Sequence, residues 1–379
     1  MFNDIIIWMT VLTGLIWIIA VGAIAIGLLR LRTSDRSGSS KGKDVPTVTV
    51  LIAARNEEGM IERCLKSLAG QDYPSEQVEI VVINDHSTDR TADIARGFIG
   101  KMPNLRVIDA DDPPDGWAPK KNALLNGIRA TSGDIILTTD ADCIPPTGWI
   151  SGIVGYFESE VDAVVGWSPL KGDGLIGGIV RFDGLINGVV SAGTIGLGFP
   201  TTAVGRNFAY RRSVWDRVGG FGETASGASG DDDLLLQRIA ANQGNVRFST
   251  DPATFVRADG QRSLSGWLRM KRRHLSAGTK YRPGLMAFST ALYLFNVTLI
   301  AGIILGLTGQ SSWWIPGMVW SGKLLVDGLA LMIGSKRMLV RGWLIGWVIG
   351  EVVTPLLITL LIPASLIGRV RWKGRDLKR

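Results

Sequence analysis

The sequence predicts an α/β domain that is held at a membrane by apolar helices at both ends of the chain. Three observations support this prediction. The middle of the chain alternates short apolar stretches with segments of helical spacing, which is typical of a sheet covered by helices. Both ends carry long uncharged runs, and the mean hydropathy of the 379 residues is +0.22, which excludes a purely soluble protein. The middle is too polar for a transporter built only of spanning helices.

The N-terminal apolar run covers residues 5–29, and none of its 25 residues is charged. A membrane-spanning helix needs about 20 apolar residues, so we expect a transmembrane helix within residues 1–31. The run follows Asp4 rather than a basic segment and is too long for the core of a signal peptide, which predicts a retained anchor. Residues 32–44 are rich in Ser, Gly and Lys and predict a flexible linker.

Residues 45–275 form the predicted α/β domain. The predicted strands cover residues 45–54, 78–83, 105–108 and 134–139, and the predicted helices cover 57–68, 88–99 and 120–130. This alternation predicts parallel pairing of the strands, with helices on both faces of the sheet. Ligands of such sheets bind at the carboxyl ends of the strands, so polar residues at those ends are candidate site residues.

Further apolar segments follow or interrupt this domain. Residues 283–322 contain no charge, and we expect about three membrane helices within residues 283–368, near 285–307, 313–334 and 342–368. Residues 174–199 are apolar but include Arg181 and Asp183, which predicts a buried or interfacial segment rather than a span. Residues 264–274 are amphipathic and basic, which is typical of a helix in the membrane interface.

The charge distribution predicts the orientation of the chain. The net charge is +7, and Lys and Arg cluster beside the apolar runs and in a basic tail at residues 369–379. This pattern is typical of flanks facing the cytoplasmic leaflet, and it favours membrane contact over nucleic-acid binding. We therefore expect a bacterial-type inner or plasma membrane protein with a cytoplasmic domain. Three C-terminal spans would put the basic tail outside, so we expect one segment to be re-entrant or to fold back at its prolines.

Polar residues directly follow the first two predicted strands. The first strand ends at Ala54 and runs straight into Arg55, Asn56 and Glu57, and these four are candidate contacts. The second strand is followed by Asp85. A carboxylate at this position can accept hydrogen bonds from the base or ribose of a nucleotide. Capping turns would explain the same residue types without a ligand.

The fourth predicted strand is followed by Asp140 and Asp142. Residues i and i+2 of an extended segment point the same way, so both carboxylates can bind one Mg²⁺ or Mn²⁺ that also contacts a diphosphate. Asp231, Asp232 and Asp233 precede a helical segment and exceed what a helix start requires. One of them is a candidate general base.

A basic motif, KRRH at residues 271–274, offers the opposite charge. Arg273 is a candidate for stabilising a diphosphate leaving group. Lys271 and Arg272 suit a solvated or lipid-facing surface, and His274 suits stacking or packing better than proton transfer. The two cysteines lack metal-site spacing and suit a reducing compartment.

Taken together, the motifs between residues 45 and 274 resemble those of glycosyltransferase family 2, whose members have the GT-A fold. ARNEE resembles the family's first nucleotide motif, NDHSTD resembles D-D-G-S-T-D, and PKKNALLNG places Lys120 in the donor site. TDADC matches the metal-binding D-x-D motif through Asp140 and Asp142. GDDDLL resembles E-D-x-x-L, which makes Asp232 the general base, while a shift of one residue gives that role to Asp231.

The resemblance also covers the acceptor side. MKRRH stands where membrane-bound members carry Q-x-x-R-W, so Arg273 takes the Arg position while Met270 and His274 replace Gln and Trp. The absence of that Trp argues against a processive enzyme. The segment with Gly205 and Asn207 is similar to the family's acceptor-side segment. The closing RWKGRD resembles the tail of members that glycosylate ceramide, hopanoid or carotenoid lipids.

The resemblance implies a membrane-bound inverting hexosyltransferase. Its donor would be a nucleotide diphospho-sugar linked to UDP, its cofactor Mg²⁺ or Mn²⁺, and its acceptor a hydroxyl of a membrane lipid. Two alternatives share this chemistry, a processive polysaccharide synthase and a polyprenyl-phosphate sugar synthase. A membrane scaffold that has lost catalysis is the non-enzyme alternative.

Overall fold

The computed structural model describes residues 2–32, 45–226, 229–366, 370–372 and 375–377. Almost all of the predicted linker and part of the basic tail lie outside these residues. The helices are α1 Phe2–Arg30, α2 Ile61–Ala69, α3 Thr91–Arg96, α4 Pro119–Arg129, α5 Trp149–Val154, α6 Gly174–Gly196, α7 Arg212–Val218, α8 Asp233–Ala241, α9 Leu264–Ser276, α10 Pro283–Leu307, α11 Trp314–Arg337 and α12 Trp343–Leu366.

A mixed sheet forms the centre of the predicted α/β domain. The strands of the domain are β1 Val48–Ala54, β2 Val78–Asn84, β3 Leu105–Asp109, β4 Ile135–Thr138, β5 Cys143–Ile144, β6 Ala163–Gly166, β7 Leu170–Lys171, β8 Phe208–Arg211, β9 Val246–Ser249 and β10 Arg257–Asp259. Seven of them form the main sheet in the order β3-β2-β1-β4-β8-β6-β9, and β5-β10-β7 form a small second sheet. The first four strands are parallel, as predicted, whereas β8 runs antiparallel to β4 and β6.

Apolar side chains of the parallel strands alternate between two cores. Val50 and Ile52 of β1 join the core that also contains Leu65 of α2. Leu51 of β1 joins the opposite core, together with Leu124 of α4. Because successive strand residues point to opposite faces, a strand buried on both sides is apolar throughout. The predicted helices on both faces of the sheet are therefore confirmed.

The second of these cores continues into the membrane helices. It contains Leu28 of α1, Val189 of α6 and Leu331 of α11 as well as Leu51 and Ile83 of the sheet. Such a shared apolar core fixes the position of the helices relative to the sheet, because interiors are close-packed.

Among the described residues, five helices are long and apolar enough to cross a membrane, namely α1, α6, α10, α11 and α12. Three of them form a layer beside the sheet, with one end of each helix near the sheet and the other end far from it. At the far end, the Asn3 side chain of α1 donates a hydrogen bond to the carbonyl of Gln310, between α10 and α11. At the near end, Arg337 of α11 donates to the carbonyl of Leu29. Thus α1, α10 and α11 run between the sheet side and the opposite side of the layer.

Helix α6 has the length of a span, but the chain returns to the same sheet after it. Strand β6 precedes α6, β8 follows it, and the two strands pair directly through Val165 and Phe208. A helix whose two flanks join one sheet does not carry the chain across a bilayer. Its glycines Gly193 and Gly196 allow close backbone contact with Gly27 of α1. We place α6 along the membrane face of the domain, as an interfacial rather than a spanning segment.

Helix α12 also has both ends on the sheet side. Near its start, Trp343 and Trp347 pack against the shared core. Helix α12 contacts α9, and Ile362 and Ser365 near its end line the same cavity as Met270 of α9. The short hairpin that follows, β11 Val370–Trp372 with β12 Arg375–Leu377, contacts α9 through β11. The helix continues through Pro355 and Pro363, so the chain does not fold back at its prolines. Of the two expected alternatives, the structure contradicts the fold-back at the prolines, and a segment that stays on the sheet side remains a prediction.

Candidate active site

The candidate site is a cavity of about 880 Å³ at the carboxyl ends of the strands. The loop after β4 carries Asp140 and Asp142 into it, and the start of α8 contributes Asp231 and Asp232. The antiparallel β8 matters here, because its pairing with β4 places the preceding Gly205 at the carboxyl end of β4. There Gly205 accepts a hydrogen bond from the Thr138 hydroxyl at 2.6 Å.

Lys120 joins two of the predicted motifs. Its Nζ lies 2.9 Å from Asp140 Oδ1 and 2.9 Å from Asp231 Oδ2. Burial would lower the pKa of Lys120, but the two carboxylates outweigh it and raise that pKa well above its usual range. Lys120 therefore stays charged and holds the D-x-D loop against the start of α8.

Asp140 and Asp142 form the candidate metal site. Their carboxylate oxygens and the Sγ of Cys143 all lie within 4.8 Å of one another. Burial, followed by the neighbouring carboxylates Asp140 and Asp142, raises the pKa of the Cys143 thiol well above its usual range, so the thiol stays protonated. Two carboxylates without a thiolate make an oxygen donor set, which fits Mg²⁺ or Mn²⁺.

The three aspartates at the start of α8 have different partners. The Asp232 carboxyl accepts from the backbone N–H of Gly205 at 2.7 Å and from that of Asp233 at 2.8 Å. Burial and the nearby Asp233 and Asp231 nevertheless raise the pKa of Asp232 to about 7. For Asp231, burial acts in the same direction, but Lys120 outweighs it and lowers the pKa.

Asp233 supports the site, a role that sequence reasoning missed. Its carboxylate accepts from the Thr202 hydroxyl at 2.6 Å, from the Ala203 N–H at 2.8 Å and from the Tyr281 hydroxyl at 2.9 Å. These bonds tie α8 to the segment before Gly205 and to the chain entering α10. The only signal in the sequence was the run of three aspartates, more than a cap and a base require.

Hydrogen bonds connect the loop after β1 to the loop after β2. Arg55 donates to the carbonyls of Asp85 and His86 at 2.7 and 2.8 Å. Asn56, in the left-handed region at φ 51°, accepts from the Thr88 N–H at 2.8 Å. Asp85 is buried, and its N–H donates to the carbonyl of Ala54 at 2.8 Å. The proximity of the two loops agrees with a shared nucleotide pocket.

Only part of the predicted donor set lines the large cavity. Glu57, Lys120 and Asp140 line it, whereas Ala54, Arg55, Asn56 and Asp85 are not among the described residues of its wall. Ala54 is instead the last residue of β1, and the other three lie in the adjoining loops after β1 and β2. Their role as donor contacts stays a prediction.

Arg273 and His274 of α9 lie on the opposite wall of the cavity. Arg273 donates to the Ser229 hydroxyl at 3.4 Å, and its other terminal nitrogen lies 3.0 Å from Nε2 of His274. Since a guanidinium only donates, Nε2 of His274 accepts and the ring is neutral. Enclosure by protein atoms and the cations Arg273, Lys271, Arg206 and Lys120 lower the pKa of His274 well below its usual range, although the ring faces the open cavity.

Two sequence predictions require correction. Asn207 was expected on the acceptor side, but it is only 1 % exposed. Its side chain accepts from the indole of Trp149 and donates to the carbonyls of Trp167 and Thr254. All its hydrogen bonds therefore serve the packing between strands. Lys271, expected on a solvated or lipid-facing surface, forms an ion pair with Asp183 of α6 instead.

Lys121 is a further residue that sequence reasoning missed. Its side chain is buried, and Nζ donates to the carbonyls of Thr224 and Ser229, at 2.5 and 3.1 Å. Burial lowers the pKa of Lys121 to about 8. The residue ties α4 to the segment that leads to Asp231.

Comparison with known proteins agrees with this geometry. The model of "Glycosyl transferase family 2" matches residues 49–184, and that of "Glycosyl transferase family group 2" matches residues 135–367. The chain is 30% identical over 236 residues to the probable glycosyltransferase YdaM of Bacillus subtilis, covering 61% of this chain and 55% of that protein. It is 30% identical over 168 residues to a beta-monoglucosyldiacylglycerol synthase of Synechocystis sp., covering 40% of this chain and 34% of that protein. The chain thus spans about half or less of the length of these relatives.

A solved structure shows the same fold. The mannosyltransferase PcManGT from Pyrobaculum calidifontis, in complex with GDP-Man and Mn²⁺, aligns with a TM-score of 0.50 and 22% identity, over 88% of this chain and 99% of that one. The expected GT-A fold is thereby confirmed. The second family model covers more than half of the chain, from the D-x-D strand to the last membrane helix. The chain accordingly belongs to glycosyltransferase family 2.

Proposed function

We propose that this protein transfers a sugar from a UDP-sugar to a hydroxyl group of a membrane lipid, with inversion at the anomeric carbon. One observation carries the proposal. A single cavity is lined both by the acids Asp140, Asp142 and Asp232 and by Ser289 and Ser365 of membrane helices. The Synechocystis relative, whose name specifies a glucosylated diacylglycerol, supports a lipid acceptor.

The geometry supports a mechanism of one displacement. The Asp232 carboxylate takes the proton of the acceptor hydroxyl while that oxygen attacks the anomeric carbon. The bond from this carbon to the diphosphate breaks, and the nucleoside diphosphate leaves with the electron pair. A base of pKa near the working pH suits proton abstraction, and the two backbone N–H groups bound to Asp232 hold its carboxyl in place.

Arg273 and the metal ligands Asp140 and Asp142 would stabilise the diphosphate of the donor. Asp140 and Asp142 would hold a divalent cation, which when bound supplies charge neutralisation for the diphosphate. Arg273 lies on the cavity wall, where a cation stabilises the departing diphosphate. Lys120 forms an ion pair with both Asp140 and Asp231 and so holds the two carboxylates at a fixed distance from each other.

The distribution of basic residues supports a cytoplasmic catalytic domain. At the sheet side of the layer, Arg30 ends α1 and Arg32 follows it. Lys336 and Arg337 lie at the end of α11, and Arg341 lies after it. At the far side, the connection between α10 and α11 at residues 308–313 carries no charge. Basic flanks stay in the cytoplasm.

The test uses membranes that contain the wild-type chain. Radiolabelled UDP-glucose and other UDP-sugars are supplied with Mg²⁺ or Mn²⁺, and organic-extractable product is separated from polymer. Label in the organic phase, absent from membranes containing Asp232→Asn, is the expected result. Label in a high-mass polymer would indicate a processive synthase, and absence of transfer from every UDP-sugar would refute the proposed donor class.

A further inference from the structure

The active-site cavity does not end at the sheet. Its wall continues over Met286, Ser289 and Tyr293 in the first turns of α10 and over Ile362 and Ser365 in the last turns of α12. Tyr293 lies ten residues beyond Pro283, and at a rise of 1.5 Å per residue this is roughly 15 Å along the helix. The hydrocarbon core of a bilayer is about 30 Å thick. The cavity therefore extends into the leaflet on the sheet side.

The chemistry of the wall changes along this path. Beside the sheet the wall is charged, and the described lining comprises eight carboxylates and six Lys or Arg side chains. Along α10 and α12 the described lining is made of hydroxyl, thioether and aliphatic groups, without a Lys, Arg, Asp or Glu. A molecule that fills both parts has a polar reacting end and an apolar remainder.

The same path opens sideways between the two helices. The Tyr293 hydroxyl of α10 donates to the carbonyl of Thr359 of α12 at 3.5 Å. On the sheet side of this contact, Met286 and Ser289 line the cavity and are exposed. None of the residues that the structure describes therefore covers α10 there, at the depth where a lipid would approach.

The negative charge of the cavity wall favours a neutral acceptor over one that carries a phosphate. Carboxylates outnumber cations on the described wall, and Lys120 and Lys271 are already paired with carboxylates. An acceptor that carries a phosphate would bring further negative charge beside Asp231 and Asp232. A neutral hydroxyl brings none and needs the base that Asp232 provides.

We propose that the groove between the start of α10 and the end of α12 is the acceptor site, and that it admits a neutral, hydroxyl-bearing lipid laterally from the bilayer. In this arrangement Ser289 and Ser365 contact the junction between the polar end and the apolar chain of the lipid. The inference rests on the proposed lipid transfer and adds the route and the neutral acceptor class.

Thiol modification tests the route without a bulky mutation. Both native cysteines, Cys64 and Cys143, are buried, so Ser289→Cys supplies the reactive thiol in the groove. Ala287→Cys is the matched control, since Ala287 is exposed on the same helix and does not line the cavity. Each variant is treated with a bulky apolar maleimide in membranes. Transfer to lipid and hydrolysis of the UDP-sugar by water are then measured.

The expected result is a loss of lipid transfer of at least tenfold in modified Ser289→Cys, with UDP-sugar hydrolysis within twofold of the untreated protein. Modified Ala287→Cys should transfer normally. Normal transfer by fully modified Ser289→Cys, or equal loss of transfer and hydrolysis, would overturn the route. A wild-type protein that labels no lipid would instead refute the proposed function.

The acceptor class has its own readout. The labelled lipid made by the wild-type protein is passed over an anion exchanger after removal of the membrane phospholipids. A product that flows through carries a neutral acceptor, as proposed. A retained product that is released as free sugar by mild acid is a sugar phosphate, and it would overturn the neutral class.

Discussion

The three consecutive aspartates at the start of α8 have different partners and different pKa shifts, although they are the same residue type. Asp231 pairs with Lys120, Asp232 accepts two backbone N–H groups, and Asp233 ties together three segments. Opposite charge lowers the pKa of a carboxyl, and burial beside like charge raises it. Sequence reasoning identified the cluster and chose Asp232 as the base. It left the register open, because spacing does not reveal which carboxyl Lys120 reaches.

Replacement of Asp232 tests whether this residue, rather than Asp231, is the general base. Asp232→Asn keeps the size of the side chain but removes the base, so we expect transfer to fall by about 10²- to 10⁴-fold. Binding of the UDP-sugar, followed by equilibrium titration, should stay within a few-fold of wild type. If Asp231→Asn gives that pattern and Asp232→Asn does not, the register is shifted by one residue.

The pKa of Asp232 also predicts a pH dependence. Burial and the adjacent carboxylates raise this pKa to about 7, and only the carboxylate form accepts a proton. We therefore expect kcat/KM to rise about tenfold per pH unit below pH 7 and to level off above it. Donor binding measured at the same pH values separates this effect from loss of the donor. A rate that stays constant down to pH 5 would contradict the assignment.

The D-x-D pair predicts metal-dependent activity. Asp142→Asn removes one of two carboxylate ligands, so we expect transfer to be abolished and donor binding to lose its dependence on added Mn²⁺. Asp259→Asn serves as the control, since Asp259 lines the cavity on β10 outside the candidate metal cluster. Full activity of the wild type in excess chelator would exclude the metal role.

At the scale of elements, local patterns were sufficient for the sheet but not for α6. The parallel strands and their helices follow from apolar runs and periodicity, and each lies within a few residues of its predicted range. From Arg181 and Asp183 in α6 we predicted a buried or interfacial segment rather than a span, but local patterns do not show which residues pair with these charges. The structure resolves this through distant contacts, since Asp183 pairs with Lys271 and accepts from the Trp267 indole at 3.3 Å. Asp183 and Trp267 are 84 residues apart in the sequence, so no local sequence pattern predicts their contact.

A charge cluster between α11 and α12 fixes the position of α12 in the helix layer. Lys323 of α11 forms ion pairs with Asp327, at 2.6 Å, and with Glu351 of α12. The indole of Trp17 in α1 donates to Asp327 at 2.8 Å, and the Lys323 ammonium lies 4.9 Å from the ring centre of Trp17. These contacts connect three helices at one point. Ionisable residues at this depth persist because they are paired.

Removal of the cation should therefore destabilise the helix layer. Lys323→Met leaves the buried Glu351 carboxylate and the largely buried Asp327 carboxylate without their cation, and breaking a buried pair costs about 3–5 kcal/mol. We expect a lower midpoint of thermal unfolding in detergent and partial recovery when Asp327→Asn and Glu351→Gln are added. Lys336→Met, at an exposed position of the same helix, is the control. Equal midpoints for Lys323→Met and Lys336→Met would show that the cluster contributes little.

At the scale of the whole molecule, the arrangement of helices removes a conflict in the charge pattern. Three C-terminal spans would put the basic tail outside, against the tendency of basic flanks to stay in the cytoplasm. With α6 along the interface and both ends of α12 on the sheet side, only α1, α10 and α11 pass through the layer. Hydropathy alone did not distinguish these cases, because α12 has the composition of a span. The contacts of α9 with α12 and β11 supply the missing information.

This topology predicts the labelling of single cysteines in intact cells. Ser312→Cys lies in the far connection between α10 and α11, so a membrane-impermeant maleimide should label it from outside. Asp376→Cys lies in the hairpin that contacts α9 through β11, so it should be labelled only after the membrane is opened. The two native cysteines are buried and give little background. Labelling of Asp376→Cys in intact cells would make α12 a true span, separate the end of α12 from α9, and remove the groove through which we propose that the acceptor enters.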